Sequence, residues 1–192
     1  MTAPLEPTNE WYAISKIAGL KLCQAFRQEH GDDFITAIPA NLYGPGDNFD
    51  PDSGHVVSAL IGRIHNAKIN ADPQIEIWGS GAPTRDFFYI DDCVDGLVHI
   101  LANYSDPAPI NLGTGAEISI RELAETISQV IGYEGSLVFD TSRPDGMPRK
   151  ILDTSQMQAS GWQSRTTLQA GLKATYDWYQ KHETNNHEST DL

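Results

Sequence analysis

The 192-residue chain carries 26 acidic against 13 basic side chains, a formal charge of −13, and is 40% apolar and 20% charged. That composition is typical of a globular protein rather than a disordered one. The acid excess argues against nucleic acid or an anionic membrane as a partner, since both need clustered Lys and Arg, and no apolar run approaches membrane-spanning length. Cys23 and Cys93 fall inside helical patterns. They have neither metal-ligand spacing nor a paired framework, so no metal site is expected and a reducing cytoplasm is.

In chain order, apolar residues at three- and four-residue spacing from Tyr12 to His30 predict an amphipathic helix that Gly31 closes. Phe34 to Ile38 reads as a short buried strand ended by Pro39. Tyr43 to Gly54, dense in Gly, Pro, Asp and Asn, reads as a long loop of the kind that carries function. Val56 to Lys68 fits a helix with one buried stripe. Ile75 to Trp78 is a strand followed by a Gly79–Gly81 turn, and TRDFFYI is another strand. Asp91 or Asp92 is expected to cap a helix through Leu101. Ile110 to Leu112 is a strand ending in GTG, and Ser119 with Glu122 forms a capping-box signature for a helix to about Gly132. Leu137 to Phe139 is a strand, Ser142 to Lys150 a basic, turn-rich loop, and Ile151 to Asp153 an extended piece. A last helix is expected from Thr167 to His182, with a polar, disordered tail over 183–192.

Tyr12 and Lys16 stand one helical turn apart, which places a phenol and an ammonium on one face. A neighbouring cation favours phenolate over phenol and suits the pair to exchanging a proton with a substrate hydroxyl or carbonyl. By itself the spacing is common on solvated helices. Context adds to it: PTNEWYAISKIAGLKLC, PANLYGPGDNF, WGSGAPTRDFFYIDD, INLGTG and FDTSRPDGMPRKILD together closely resemble the GDP-L-fucose synthases of the extended short-chain dehydrogenase/reductase family, from about Pro7 to about Lys181.

The resemblance implies an α/β fold: an incomplete Rossmann-like parallel sheet remnant (1–43 and 86–125) plus a small mixed α/β substrate-binding lobe (44–85 and 126–182). It implies NADP as cofactor and a GDP-sugar as substrate, with 3,5-epimerisation of GDP-4-keto-6-deoxy-D-mannose followed by reduction at C4. Tyr12 would be the acid toward the C4 oxygen, Lys16 the holder of the nicotinamide ribose, and His55 the acid for epimerisation, a role suited to an imidazole. Tyr12, Lys16, Pro39, Ala40, Asn41, Leu42 and His55 would border the cofactor. Arg63, Trp78, Arg85, Asp145 and Lys150 would contact substrate, the cations neutralising a diphosphate. The bland alternatives are a cap or surface residue at His55, a strand terminator at Pro39, a surface network between Arg85 and Asp86, and core packing for Trp78.

The GTG at Gly113–Gly115 lacks the spacing of a dinucleotide-binding turn, and the Ser and Cys that precede the Tyr in the resembled enzymes fall before residue 1. The segments that bind ADP-ribose in those enzymes are therefore expected to be missing from this chain, strand edges are expected to be open, and a homodimer or a complementing N-terminal chain is the expected partner. Two further functional readings are another nucleotide-sugar epimerase/reductase and a non-catalytic nucleotide-sugar-binding remnant.

Overall fold

The structure, a computed structural model, describes residues 4–188. After a short turn at Pro7–Asn9, α1 (Glu10–His30) closes at Gly31, whose N–H bonds to the Arg27 carbonyl at 3.1 Å. The next strand lies later than expected. β1 spans Ala37–Pro39, and an unexpected second strand, β2 (Asn41–Tyr43), follows and ends on the first residue of the stretch read as a loop. The two strands part at Ala40: β1 pairs in parallel with β6 (Ile110–Leu112), and β2 in parallel with β5 (Phe87–Tyr89).

Elsewhere the periodicities translate closely. α2 runs Val56–Ile69, and β3 (Gln74–Trp78) pairs in parallel with β8 (Ser136–Asp140). The single strand expected from TRDFFYI is two, β4 (Thr84–Arg85) and β5, divided by Asp86. β4 lies between β7 (Ile118–Ser119) and β9 (Arg149–Lys150). α4 (Ile120–Ile131) starts with the expected capping box, the Ser119 hydroxyl accepting from the Glu122 N–H at 3.1 Å. A short α5 (Ser155–Ala159), which the sequence pattern gave no reason to expect, precedes α6 (Leu168–Glu188). α6 continues past His182, so the helix replaces the start of the expected tail. No Gly or Pro interrupts that stretch, and a helix already nucleated propagates cheaply. Residues 189–192 of the expected tail lie outside the described residues.

Two apolar clusters hold the chain together. In the larger, Leu60, Ile61 and Ile64 of α2 meet Leu123, Ile127 and Ile131 of α4 and Leu172 and Tyr176 of α6. In the smaller, Phe88, Ile110 and Leu112 of the sheet meet Cys93 and Ile100 of α3 (Ile90–Asn103), with Met157 and Trp162 over them. Each fully buried aliphatic side chain contributes roughly 1.5–3 kcal/mol. α1 joins neither cluster. Leu20 is its one residue classed as buried, and polar links at its C-terminal half tie it down, such as Gln24 to the Pro107 carbonyl at 2.8 Å and Arg27 to that of Ser105 at 2.7 Å. Trp11, Ile14 and Leu22 of α1 and Val94, Val98 and Leu101 of α3 face solvent. Among the described residues no helix is long and apolar enough to cross a membrane.

Asp91 and Asp92 do not cap α3; Tyr89 occupies that position. Asp92 instead turns inward. Its carboxylate accepts from the Ser164 hydroxyl, from the N–H groups of Arg165 and Thr166 (both 2.9 Å), and from the Thr166 hydroxyl at 2.8 Å. Burial alone would raise its pKa, but these donors outweigh burial and hold it below the ordinary carboxylate value. The depressed pKa adds stability above the unfolded value near 3.9 and loses it as pH falls through the folded value. Asp92→Asn is therefore expected to cost about 1–3 kcal/mol at neutral pH. Urea titrations should show the gap to the parent at full size at pH 6–7, roughly, and closing below about pH 4. An equal gap at both pH values would contradict this account.

Candidate active site

Tyr12 and Lys16 share one face near the start of α1, with the Lys16 Nζ 5.3 Å from the centre of the Tyr12 ring. Both are exposed, Tyr12 at 60%. The phenol and ammonium are thus together and accessible, as the spacing implied.

Pro39, Ala40, Asn41 and Leu42 form the crossing from β1 to β2. Pro39 is the last residue of β1, paired opposite Leu112, so the strand ends at it with the proline inside the ladder. Asn41 donates both its backbone N–H (3.2 Å) and its side-chain amide (2.9 Å) to the Asp86 carbonyl. The Asp86 carboxylate, fully buried, accepts from the Thr114 N–H (3.3 Å) and hydroxyl and from the Gly115 N–H (3.0 Å). The GTG turn therefore cradles an internal carboxylate. A surface network between Arg85 and Asp86 is excluded because Asp86 is turned inward.

The residues expected on the substrate side gather around β3, β4 and the 142–150 loop. Arg63, on α2, donates to the carbonyl of Glu76 in β3, two positions before Trp78. Trp78 is 61% exposed rather than core, and the Arg143 guanidinium lies 5.1 Å from its ring centre. Arg85 and Lys150 stand directly opposite each other on β4 and β9. Among the described residues neither forms an ion pair, whereas neighbouring Arg149 is engaged by Glu117 at 2.9 Å. Burial lowers the pKa of Arg85, though a guanidinium stays charged at neutral pH. Two unpaired cations at register-matched positions suit an anion.

Asp145 has a protein partner that its sequence position did not suggest. Its carboxylate accepts from the Ser80 N–H at 2.8 Å and from the Ser80 hydroxyl at 2.7 Å, and these bonds hold its pKa below the ordinary value. It thus clasps the 142–150 loop to the turn after Trp78. Arg143, and Arg121, which donates to the Ser80 carbonyl at 2.8 Å, were not singled out by sequence reasoning. The basic character of the 142–150 segment was the signal available for Arg143.

His55 lies at the start of α2, where its side chain makes no capping bond. It is 85% exposed, with Nδ1 3.5 Å from the Asp47 carboxylate. The cap reading of its imidazole is thereby excluded. Other histidines are used in packing: His65 with the Tyr176 hydroxyl, His99 with Ser160 and His182 with the Trp178 carbonyl. Two cavities, about 680 and 430 Å³, flank this arrangement without including Tyr12, Lys16 or His55. The first lies between α4 and residues 164–168; the second lies under the 47–51 loop beside α6.

Parallel strand pairs covered by helices, with polar side chains gathered at strand ends and the loops beyond them, are the architecture of Rossmann-like reductases and epimerases. The chain belongs to the NAD dependent epimerase/dehydratase family, which matches residues 1–113. It is 55% identical over 177 residues to the GDP-L-fucose synthase of Sinorhizobium fredii, covering 92% of this chain and 56% of that protein. To GDP-L-fucose synthase 1 of Arabidopsis thaliana it is 51% identical, covering 94% of this chain and 56% of the relative. It superposes on the crystal structure of a GDP-L-fucose synthetase from Naegleria fowleri bound to NADP with a TM-score of 0.88 and 29% identity, covering 95% of this chain and 59% of that one. The chain thus spans somewhat more than half the length of these relatives.

The clasp at Ser80 yields a test. Gly79 has φ +85°, and a Cβ there would stand 2.5 Å from the Asp145 carboxylate. Gly79→Ala is therefore expected to expel Asp145 and free the 142–150 loop, and limited trypsin digestion should cut after Arg149 or Lys150 several-fold faster. Unchanged cleavage would show that Asp145 does not hold the loop.

Proposed function

We propose that the chain supplies the substrate-side and proton-transfer residues of a GDP-L-fucose synthase. The proposed reaction is epimerisation of GDP-4-keto-6-deoxy-D-mannose at C3 and C5, then NADPH-dependent reduction at C4 to GDP-L-fucose. The observation that carries this reading is the accessible phenol–ammonium pair at Tyr12 and Lys16, in a chain so similar to proteins of that name.

The residues present fit the nicotinamide end of NADP. An exposed ammonium at Lys16 provides donors for ribose hydroxyls, and the Pro39–Leu42 crossing is a second segment proposed to border the nicotinamide. NADPH, when bound, supplies the hydride. Tyr12 then gives its proton to the C4 oxygen, and Lys16 stabilises the phenolate left behind. In epimerisation a base contributed from outside residues 4–188 removes the C3 and C5 protons, and His55 delivers new ones from the opposite face. Arg63, Arg85 and Lys150 hold the diphosphate, and Trp78 offers its exposed ring as a stacking surface. Asp145 contributes by fixing the loop that carries Lys150. The 36% identity to the GDP-L-colitose synthase of Yersinia pseudotuberculosis keeps a second nucleotide sugar in view, and competition between GDP-, UDP- and dTDP-sugars separates the two. Exposed Trp11, Ile14 and Leu22 on α1 support a homodimer or a complementing N-terminal chain covering that face. The free thiols Cys23 and Cys93 support a cytoplasmic setting.

In a full-length or complemented form that turns over the keto-sugar, Tyr12→Phe is expected to lower C4 reduction by about 100-fold or more. NADPH absorbance would follow reduction, and mass spectrometry would show solvent deuterium still entering at C3 and C5. His55→Gln is expected to do the reverse, blocking deuterium entry. Parental reduction by Tyr12→Phe would remove the assignment.

A further inference from the structure

The segment from Asp47 to His55 begins and ends with a carboxylate and an imidazole that stand against each other, and what lies between is tightly built. The Asp50 carboxylate accepts from the N–H groups of Asp52 (3.1 Å) and Ser53 (2.8 Å) and from the Ser53 hydroxyl (2.8 Å). Asn48 accepts from the Asp50 N–H at 3.1 Å and donates to the Ser53 hydroxyl at 3.1 Å. Phe49 is inserted between the rings of Trp178 (5.9 Å) and Tyr179 (4.7 Å) on α6. Its backbone presses on α2 at Gly62, where any Cβ would collide with the Phe49 carbonyl. Local hydrogen bonds and an aromatic anchor thus fix the ends of the loop relative to each other.

At those ends, Asp47 is largely covered, with a side chain 20% exposed, while His55 is 85% exposed. Asp47 Oδ1 also accepts from the Asn48 N–H at 2.8 Å, which fixes the carboxylate's direction. Its 3.5 Å separation from His55 Nδ1 makes this pair weak as a source of stability at an exposed site. Its direction matters more: a carboxylate on the Nδ1 side leaves Nε2 turned to solvent. From this geometry we infer that Asp47 is a positioning residue, which holds the His55 imidazole as the Nδ1–H tautomer with Nε2 as the nitrogen that exchanges protons with a ligand.

The inference rests on the proposed role of His55, yet its test does not need turnover. In this chain, long-range proton–nitrogen correlation spectra of the imidazoles, with His55→Gln identifying the signals, read the tautomer of neutral His55 directly. The expected result is the Nδ1–H form in the parent and a shift to the Nε2–H form in Asp47→Ala, with Asp47→Glu restoring part of the parental pattern. Phe49→Ala, which removes the anchor while keeping the carboxylate, is expected to give a mixture of the two forms. An Nε2–H parent overturns the inference even if no variant folds, and so does an Asp47→Ala protein with the parental tautomer. Should the tautomer follow Asp47 while His55→Gln leaves deuterium entry at C3 and C5 unaffected in the complete enzyme, the positioning stands and the acid role of His55 falls. The converse pattern would retain the role and discard the positioning.

Discussion

The buried carboxylate of Asp86 is the point on which the sheet pieces converge. It sits between β4 and β5, its carbonyl is held by Asn41 at the start of β2, and its carboxylate is held by the turn after β6. A carboxylate excluded from water costs several kcal/mol unless donors replace its hydration. Here two backbone N–H groups and a hydroxyl replace it, and no buried side-chain polar atom among the described residues lacks a partner. The requirement fixes geometry as well as energy. Thr114 and Gly115 must lie over Asp86, so the strand ending at Leu112 and the strand beginning at Asn41 are locked against the same residue.

That lock separates two kinds of surface. On one side, Arg85 immediately precedes Asp86 and stands opposite Lys150, so the anchoring of the carboxylate inward presents its neighbour's guanidinium on the other side of the strand. On the other side, the Pro39–Leu42 crossing is held by Asn41, and Ala40 packs where a Cβ on Gly113 would come within 3.2 Å. The cationic grouping is thus built on strands and pinned loops. The phenol and ammonium ride on α1, a helix outside both apolar clusters, tied by hydrogen bonds, buried Leu20 and the Phe26–Phe34 ring contact.

Much of this was legible in the sequence wherever a local rule governs the outcome. The capping box at Ser119 and Glu122, the stripe of α2 and the Tyr12–Lys16 spacing depend on residues within a turn or two of one another, so pattern alone finds them. The bonding of Asp86, Asp92 and Asp145 was not legible because each carboxylate meets donors far away in sequence, at Thr114, Ser164 and Ser80 respectively. TRDFFYI and Phe34–Ile38 read as single strands because apolar runs carry no mark of where a strand changes partners. The break at Asp86 is set by the GTG turn, and the displaced β1 by the position of Ile110 opposite Ala37. Arg143 was missed because a guanidinium in a basic loop gains meaning only when an aromatic ring is found beneath it.

The uneven support of the two groupings bears on how such a site reaches working geometry. Trp11 is 81% exposed and Leu101 74%, and covering a large apolar side chain fully is worth about 1.5–3 kcal/mol. Burial of several such residues on α1 and α3 would exceed the contribution of the hydrogen bonds that now tie α1 down, each about 1 kcal/mol. The orientation of Tyr12 and Lys16 relative to the strand-borne cations is therefore governed by whatever covers these faces more than by contacts within the described residues. Proton transfer to a bound sugar requires reacting atoms within about 3–3.5 Å. A helix free to shift by a fraction of that distance can hold the correct residues without holding the reactive geometry.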